Sequence, residues 1–139
     1  MNTGVITISQ NEDIYEAMRM MALNNVTGLP VIDNDGTLLG IITEKDILVL
    51  LHSSLEEVNM DRMVGTVGQF MTRRVICFGP EDRLADIAEC LSTNDFRRVP
   101  ILDRGRLVGI ISRKDVIRYL RDLQQQNEVM KDSILELLY

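Results

Sequence analysis

The sequence predicts an α/β fold of the α+β kind, two β-α-β-β-α units packed on each other as a pseudo-two-fold pair and followed by a C-terminal helix. Three observations predict it. The stretch Gly40-Ile41-Ile42-Thr43-Glu44-Lys45-Asp46 returns almost unchanged as Gly109-Ile110-Ile111-Ser112-Arg113-Lys114-Asp115. An offset of 70 residues aligns Pro30 with Pro100, Val5-Ile6 with Val75-Ile76 and Asn24 with Asn94, then falls to 69 at a hairpin tip, where deletions are tolerated. A stripe of apolar residues at helical spacing also recurs, as Ile14, Ala17, Met18, Met21 and as Leu84, Ile87, Ala88, Leu91. Units of this size each leave an apolar face that stacking would bury.

In chain order, Val5 to Ile8 reads as a short strand, with Asn11 as N-cap and Glu12-Asp13 in the first helical turn. Val26 to Asp33 is a second strand carrying Pro30, and Asn34-Asp35-Gly36 turns the chain into Leu38 to Ile42. Thr43 opens a helix to about His52. Ser53-Ser54 breaks it, and Leu55 to Met63 reads as a helical bridge. Thr66-Val67-Gly68-Gln69 has the form of a capping box leading into the second repeat, where Val75 to Phe78 is the opening strand and Pro80 a helix start. The resulting division is 1–64, 65–121 and 122–139. The first repeat lacks a comparable lead-in, as expected of a segment of a longer protein or of one whose partner element comes from the bridge. Val116, Leu120, Leu123, Asn127, Met130, Ile134 and Leu137 alternate at spacings of four and three. That is either a coiled-coil seam or one face of a helix folded back on its own domain.

Composition narrows the function. The 139 residues carry a net charge of −6, from 21 acidic against 15 basic residues, and only 4% aromatics, which argues against nucleic acid as a partner. No apolar run is long enough to span a bilayer. Cys77 and Cys90 do not form a secreted disulfide framework, so a reducing, cytoplasmic setting is expected. His52 is the only histidine, which leaves no triad and no metal cluster. The methionines of the first helix read as adaptable core filler.

The repeated junction has two compatible readings. Thr43 or Ser112 with Asp46 or Asp115 three residues on is a capping box, sufficient to start a helix without a ligand. The same helix start, with Lys45 or Arg113 beside it, is also suited to an anion, and an acceptor-only carboxylate to a ribose diol.

The ordered set resembles a pair of cystathionine-β-synthase (CBS) domains, a Bateman module, over about residues 5 to 121. The resemblance rests on the opening strands Val-Ile-Thr-Ile and Val-Ile-Cys-Phe, the steps Leu29-Pro30-Val31 and Val99-Pro100-Ile101, the closing motifs Gly40 to Asp46 and Gly109 to Asp115, and the lead-in Val67 to Thr72. It implies allosteric modules that bind adenosine-type ligands (AMP, ADP, ATP or S-adenosylmethionine) and regulate an enzyme, channel or transporter. It also implies composite sites. One would join Thr43, Lys45 and Asp46 to Ile76, Cys77, Phe78, Arg97, Arg98 and Val99; the other Ser112, Arg113 and Asp115 to Ile6, Thr7, Ile8, Thr27, Gly28 and Leu29.

Two departures make the expected sites unequal. Thr7 matches the threonine common in the family's opening strand, but Cys77 does not. Arg97-Arg98 match the basic pair that reaches phosphate in the family, but Thr27-Gly28 do not. The Asp46 site is therefore expected to prefer the more highly phosphorylated ligand, with Arg98 as its phosphate contact. Three functions are weighed: a ligand-sensing regulatory module, a structural dimerisation module with empty sites, and an enzyme, for which no nucleophile-base pair, metal cluster or Gly-rich phosphate loop is present. Leu48, Leu51 and Ile117 fall off the stripes that face the sheets, so a homodimer is expected.

Overall fold

The structure is a computed structural model and describes residues 4–54 and 65–126. Its elements are α1 (Ile14–Asn24), β1 (Gly28–Ile32), β2 (Leu38–Thr43), α2 (Glu44–Ser54), α3 (Val67–Phe70), α4 (Leu84–Thr93), β3 (Arg98–Asp103), β4 (Arg106–Ser112) and α5 (Arg113–Gln126). Residues 6–75 form one compact unit; Ile76 onward, with Gly4 and Val5, form the other. Each contains one antiparallel pair, β1 with β2 and β3 with β4.

The two pairs share a register: Leu29 faces Ile42 and Pro30 faces Ile41, as Val99 faces Ile111 and Pro100 faces Ile110. Each has a bulge one residue after the proline step, at Val31/Ile32 and at Ile101/Leu102. The connecting turns differ by the residue the offset predicts. In the first, Asp33 Oδ1 accepts from the amides of Asp35 and Thr37, both at 2.9 Å, and Gly36 takes φ 84°. The second is a two-residue turn in which Arg104 and Gly105 both have positive φ, 54° and 80°. That geometry matches the right-handed twist of the flanking strands.

The expected opening strands reduce to single bridges. Ile8 lies parallel to Val31, with Ile8 N donating to Pro30 O at 3.0 Å and Ile32 N to Ile8 O at 3.1 Å. Phe78 lies parallel to Ile101 in the same way, through Pro100 O and Leu102 N at 3.1 and 2.8 Å. A parallel ladder continued toward Ile6 or Ile76 would next need an N–H from residue 30 or 100, and proline has none. The strands expected at Val5–Ile8 and Val75–Phe78 are thus each limited to one bridge, because the partner strand cannot extend the pairing.

The helix starts also move. Asp13, not Asn11, caps α1 by accepting from Tyr15 N at 3.0 Å, and α4 begins at Leu84 after Arg83 rather than at Pro80. Glu12 thus precedes α1 rather than lying in its first turn, and in the loop before α4 Asp82 Oδ2 accepts from Gly79 N at 2.7 Å. On the exposed side of α1, hydrogen bonds from Arg19 hold the Glu16 carboxyl below the usual carboxylate range. That pair supports the helix above this titration and loses effect as pH falls through it.

Each unit has its own core. Ile14, Ala17 and Met21 from α1 meet Leu29, Val31, Ile42 and Ile47; Leu84, Ile87 and Leu91 from α4 meet Val99, Ile101, Ile111 and Val116. Of the expected stripe residues, Met18 is half-buried and Ala88 is exposed. Val67 and Met71 are buried in the first core, so the lead-in expected to begin the second repeat packs on the first. Its backbone is tied there: Ile14 N donates to Gly65 O, Val67 N to Glu12 O, Gly68 N to Gln10 O, and Thr72 exchanges two bonds with Ile41. The capping box at Thr66 and Gln69 forms as expected, with Thr66 N donating to Gln69 Oε1 at 3.0 Å. α5 runs without a break to Gln126, burying Val116 and Leu123 while Leu120 stays exposed. The bridge at Leu55 to Met63 and the seam beyond Asn127 lie outside the described residues. No helix among the described residues is long and apolar enough to cross a membrane.

Gly40 is the tightest point of the lead-in contact, because a Cβ there would meet Thr72 O at 2.5 Å. Gly40→Ala should therefore destabilise the protein by about 1–3 kcal/mol, the usual cost of overpacking against backbone. Urea unfolding monitored by circular dichroism would measure it, and an unchanged midpoint would contradict the contact.

Candidate functional site

Both junctions fold as the capping reading requires. In the first, Asp46 N donates to Thr43 Oγ1 at 3.2 Å, and Asp46 Oδ2 accepts from Thr43 N and from Thr43 Oγ1, each at 2.9 Å. In the second, Asp115 N donates to Ser112 Oγ at 3.1 Å and Ser112 N to Asp115 Oδ2 at 2.9 Å. The amides of Glu44 and Arg113 are likewise fixed, donating to Thr27 O and Arg97 O.

The junctions differ in what remains available. Asp46 Oδ1 accepts from the hydroxyl of Thr72 at 3.0 Å, so Asp46 receives three donors in all. A carboxylate offers about four acceptor positions. The Asp115 carboxylate accepts one hydrogen bond, at Oδ2 from the backbone N of Ser112, and its Oδ1 accepts from no donor among the described residues. In the sequence Thr72 stands out only as the end of the lead-in, because a hydroxyl reaching an acid 26 residues away leaves no local signal.

The other expected residues divide by what they can offer. Ile8, Leu29 and Val99 are core side chains, 4%, 0% and 0% exposed, and can present only backbone to a ligand. Ile6 and Thr7 are half-buried beside β1, while Phe78 packs partly on the second core. Gly28 faces Thr43 in register, and an added Cβ would stand 3.3 Å from Ile42 O. Ile76, Cys77, Arg97 and Lys45 are exposed. Arg98 faces Ser112 in register, and its Nε is buried with no hydrogen-bond partner among the described residues.

Arg113 is a different case. Its Nε donates to Leu91 O at 3.1 Å and its Nη2 to Asn94 O at 2.8 Å, which caps the C-terminus of α4. The residue expected to face a phosphate is thus engaged by helix carbonyls. The matching carbonyl of the first repeat, Met21 O, is satisfied by Val26 N at 3.0 Å, where Asn25 turns left-handed at φ 52°. Glu44, at Arg113's position, carries a carboxyl where Arg113 has its guanidinium. No group of acids, cysteines and histidines among the described residues is arranged to hold a metal ion.

The architecture defines the chain as a tandem α/β module, and the comparisons identify its kind. The family model for the CBS domain matches residues 1–53 and 67–122, so the chain belongs to the CBS domain family and carries the domain twice. It is 34% identical over 99% of its length to the protein MJ1225 of Methanocaldococcus jannaschii, of which it spans 47%. The crystal structure of that protein superposes with a TM-score of 0.79 at 32% identity, covering 86% of this chain and 45% of that one. CBSX2 of Arabidopsis thaliana, solved in complex with AMP, gives a TM-score of 0.74 at 29% identity, covering 86% and 90% of the two chains. The CBS domain pair of MJ0100, solved with 5′-methylthioadenosine and S-adenosyl-L-methionine, gives 0.66 at 30% identity, covering 85% and 89%.

The unequal bonding has a direct consequence for stability. Asp46→Ala should cost about 2 kcal/mol, through loss of the capping contacts and of the tie to Thr72, against about 1 kcal/mol for Asp115→Ala, the worth of a capping contact alone. Thermal or urea unfolding of both variants would check the order, and equal losses would contradict it.

Proposed function

We propose that the chain is a regulatory module that binds adenosine-type ligands (AMP, ADP, ATP or S-adenosylmethionine) and passes occupancy to a fused or associated enzyme, transporter or channel. The observation that carries this reading is Arg98, whose buried Nε lacks a partner among the described residues, in a chain with an excess of acids. Buried polar atoms are nearly always satisfied, and a ligand phosphate would satisfy this one. Supporting it, the proline steps leave the backbone at Ile6 and Ile76 outside any ladder, which suits the polar edge of a base. CBSX2 and the MJ0100 pair, both similar to this chain, are solved with adenosine compounds. By the resemblance, Arg98 serves the site of Thr43 and Asp46, together with Lys45, and that site takes the more highly phosphorylated ligand.

Titration calorimetry of the chain with AMP, ADP, ATP and S-adenosylmethionine tests the reading. Binding of at least one is expected, and Arg98→Ala should weaken ATP binding about tenfold or more, the worth of one charge-assisted contact. Silence toward all four ligands at millimolar concentration would leave the structural dimerisation module as the reading.

Both readings include a homodimer. Grooves at equivalent places, lined by Met18, Met21 and Leu48 between α1 and α2 and by Ala88, Leu91 and Ile117 between α4 and α5, lie beside Leu48 and Ile117, which are 62% and 67% exposed. A second copy covering them would remove this apolar surface from water. Light scattering at tens of micromolar should give twice the chain mass; a monomer mass would refute the dimer.

A further inference from the structure

We infer that Thr72 sets the order in which the two sites fill: its hydroxyl occupies Asp46, so a ribose diol is bound first and more tightly at Asp115. The inference rests on the adenosine-ligand reading and adds a residue that determines how its two sites differ.

The argument is one of acceptor capacity. A vicinal diol binds a carboxylate best when both hydroxyls donate, one to each oxygen or both to one. At Asp46, Oδ2 already accepts from Thr43 N and Thr43 Oγ1, and Oδ1 from Thr72 Oγ1. About one of four acceptor positions remains, which is too few for a diol. The Thr43 hydroxyl proton is also committed, because it points into Oδ2. At Asp115, Oδ1 is wholly open among the described residues. Ser112 Oγ accepts from Asp115 N and donates to no acceptor there, so its proton is available as well. The two junctions share a backbone path yet differ by two acceptor positions and one donor.

Thr72 is not free to withdraw. Its backbone exchanges bonds with Ile41, from Ile41 N to Thr72 O at 2.9 Å and from Thr72 N to Ile41 O at 2.8 Å. The side chain is thereby held within reach of Asp46, and only rotation about its own χ1 can release the carboxylate. A diol arriving at Asp46 must displace a charge-assisted hydrogen bond before forming its own, whereas at Asp115 it displaces solvent.

The test uses adenosine, which has the diol but no phosphate, so that the basic residues do not enter. The full chain is titrated by calorimetry, with 2′,3′-dideoxyadenosine as the control lacking the diol. Two adenosine affinities are expected, and Asp115→Asn should remove the tighter. Thr72→Val should strengthen the weaker site by several-fold up to about tenfold, one displaced hydrogen bond. Thr72→Ser, which keeps the hydroxyl, should behave as the parent, and dideoxyadenosine should not distinguish Thr72→Val from it. Thr72 is exposed, so these variants should fold, and circular dichroism confirms that each has. Loss of the tighter site in Asp46→Asn, or an unchanged weaker site in Thr72→Val, would overturn the inference while leaving the adenosine reading intact. Failure of the parent and every variant to bind any adenosine compound would overturn both.

Discussion

In each repeat the extent of the sheet is set by a nitrogen that carries no hydrogen. Pro30 and Pro100 lie at the centre of their hairpins, buried, each facing an isoleucine of the partner strand. A proline there does not harm the hairpin, because the N–H it lacks would have pointed to the opposite edge. That edge is where the opening segment arrives. Its pairing is limited to one residue, Ile8 or Phe78, and the chain before it runs past the sheet without joining it. The same constraint thus holds the sheet to two strands and leaves main-chain groups at Ile6 and Ile76 outside the ladder. Those are the segments the resemblance assigns to ligand contact.

The two repeats keep one apolar plan and solve its polar consequences separately. Ile14, Ala17 and Met21 correspond to Leu84, Ile87 and Leu91, and the strand cores correspond residue for residue. Satisfying the end of the first helix in each repeat is a different matter. The carbonyl of Met21 is met by the chain's own left-handed turn, and that of Leu91 by a guanidinium from β4's following helix. Hydrophobic packing tolerates exchange at constant volume, whereas each stranded carbonyl must be met by whichever donor the local sequence provides.

This difference also explains how much of the molecule was legible beforehand. The repeat, both hairpins, the helix stripes apart from Met18 and Ala88, and the three capping boxes follow from periodicity and short-range chemistry, and they stand in the structure. Element starts shifted where acids competed for the same amides, as Asp13 did with Asn11. Contacts of long sequence separation were not legible: the docking of Val67 and Met71 into the first core, the bond from Thr72 to Asp46, and the capture of Arg113 by Leu91 and Asn94. Arg113 was expected to face a phosphate, but backbone carbonyls compete for a guanidinium as a phosphate does, and here they hold it. Of the candidate site, the Thr/Ser and Asp pairs were readable as local motifs, but the extra bond that Thr72 gives to Asp46 alone was not.

The docking of the lead-in also governs when the first unit can become native as the chain leaves the ribosome. Its hairpin and α1 are available once Thr43 has emerged, and α2 soon after. Yet Val67 and Met71 complete that core, and Ile41 has no partner for its outward amide and carbonyl until Thr72 appears. The nascent unit must therefore wait for the whole intervening bridge, holding part of its apolar interior open to water or to a chaperone meanwhile. By the time it closes, the start of the second repeat has already been made. Synthesis thus makes the maturation of the first unit depend on residues that the sequence assigns to the opening of the second repeat.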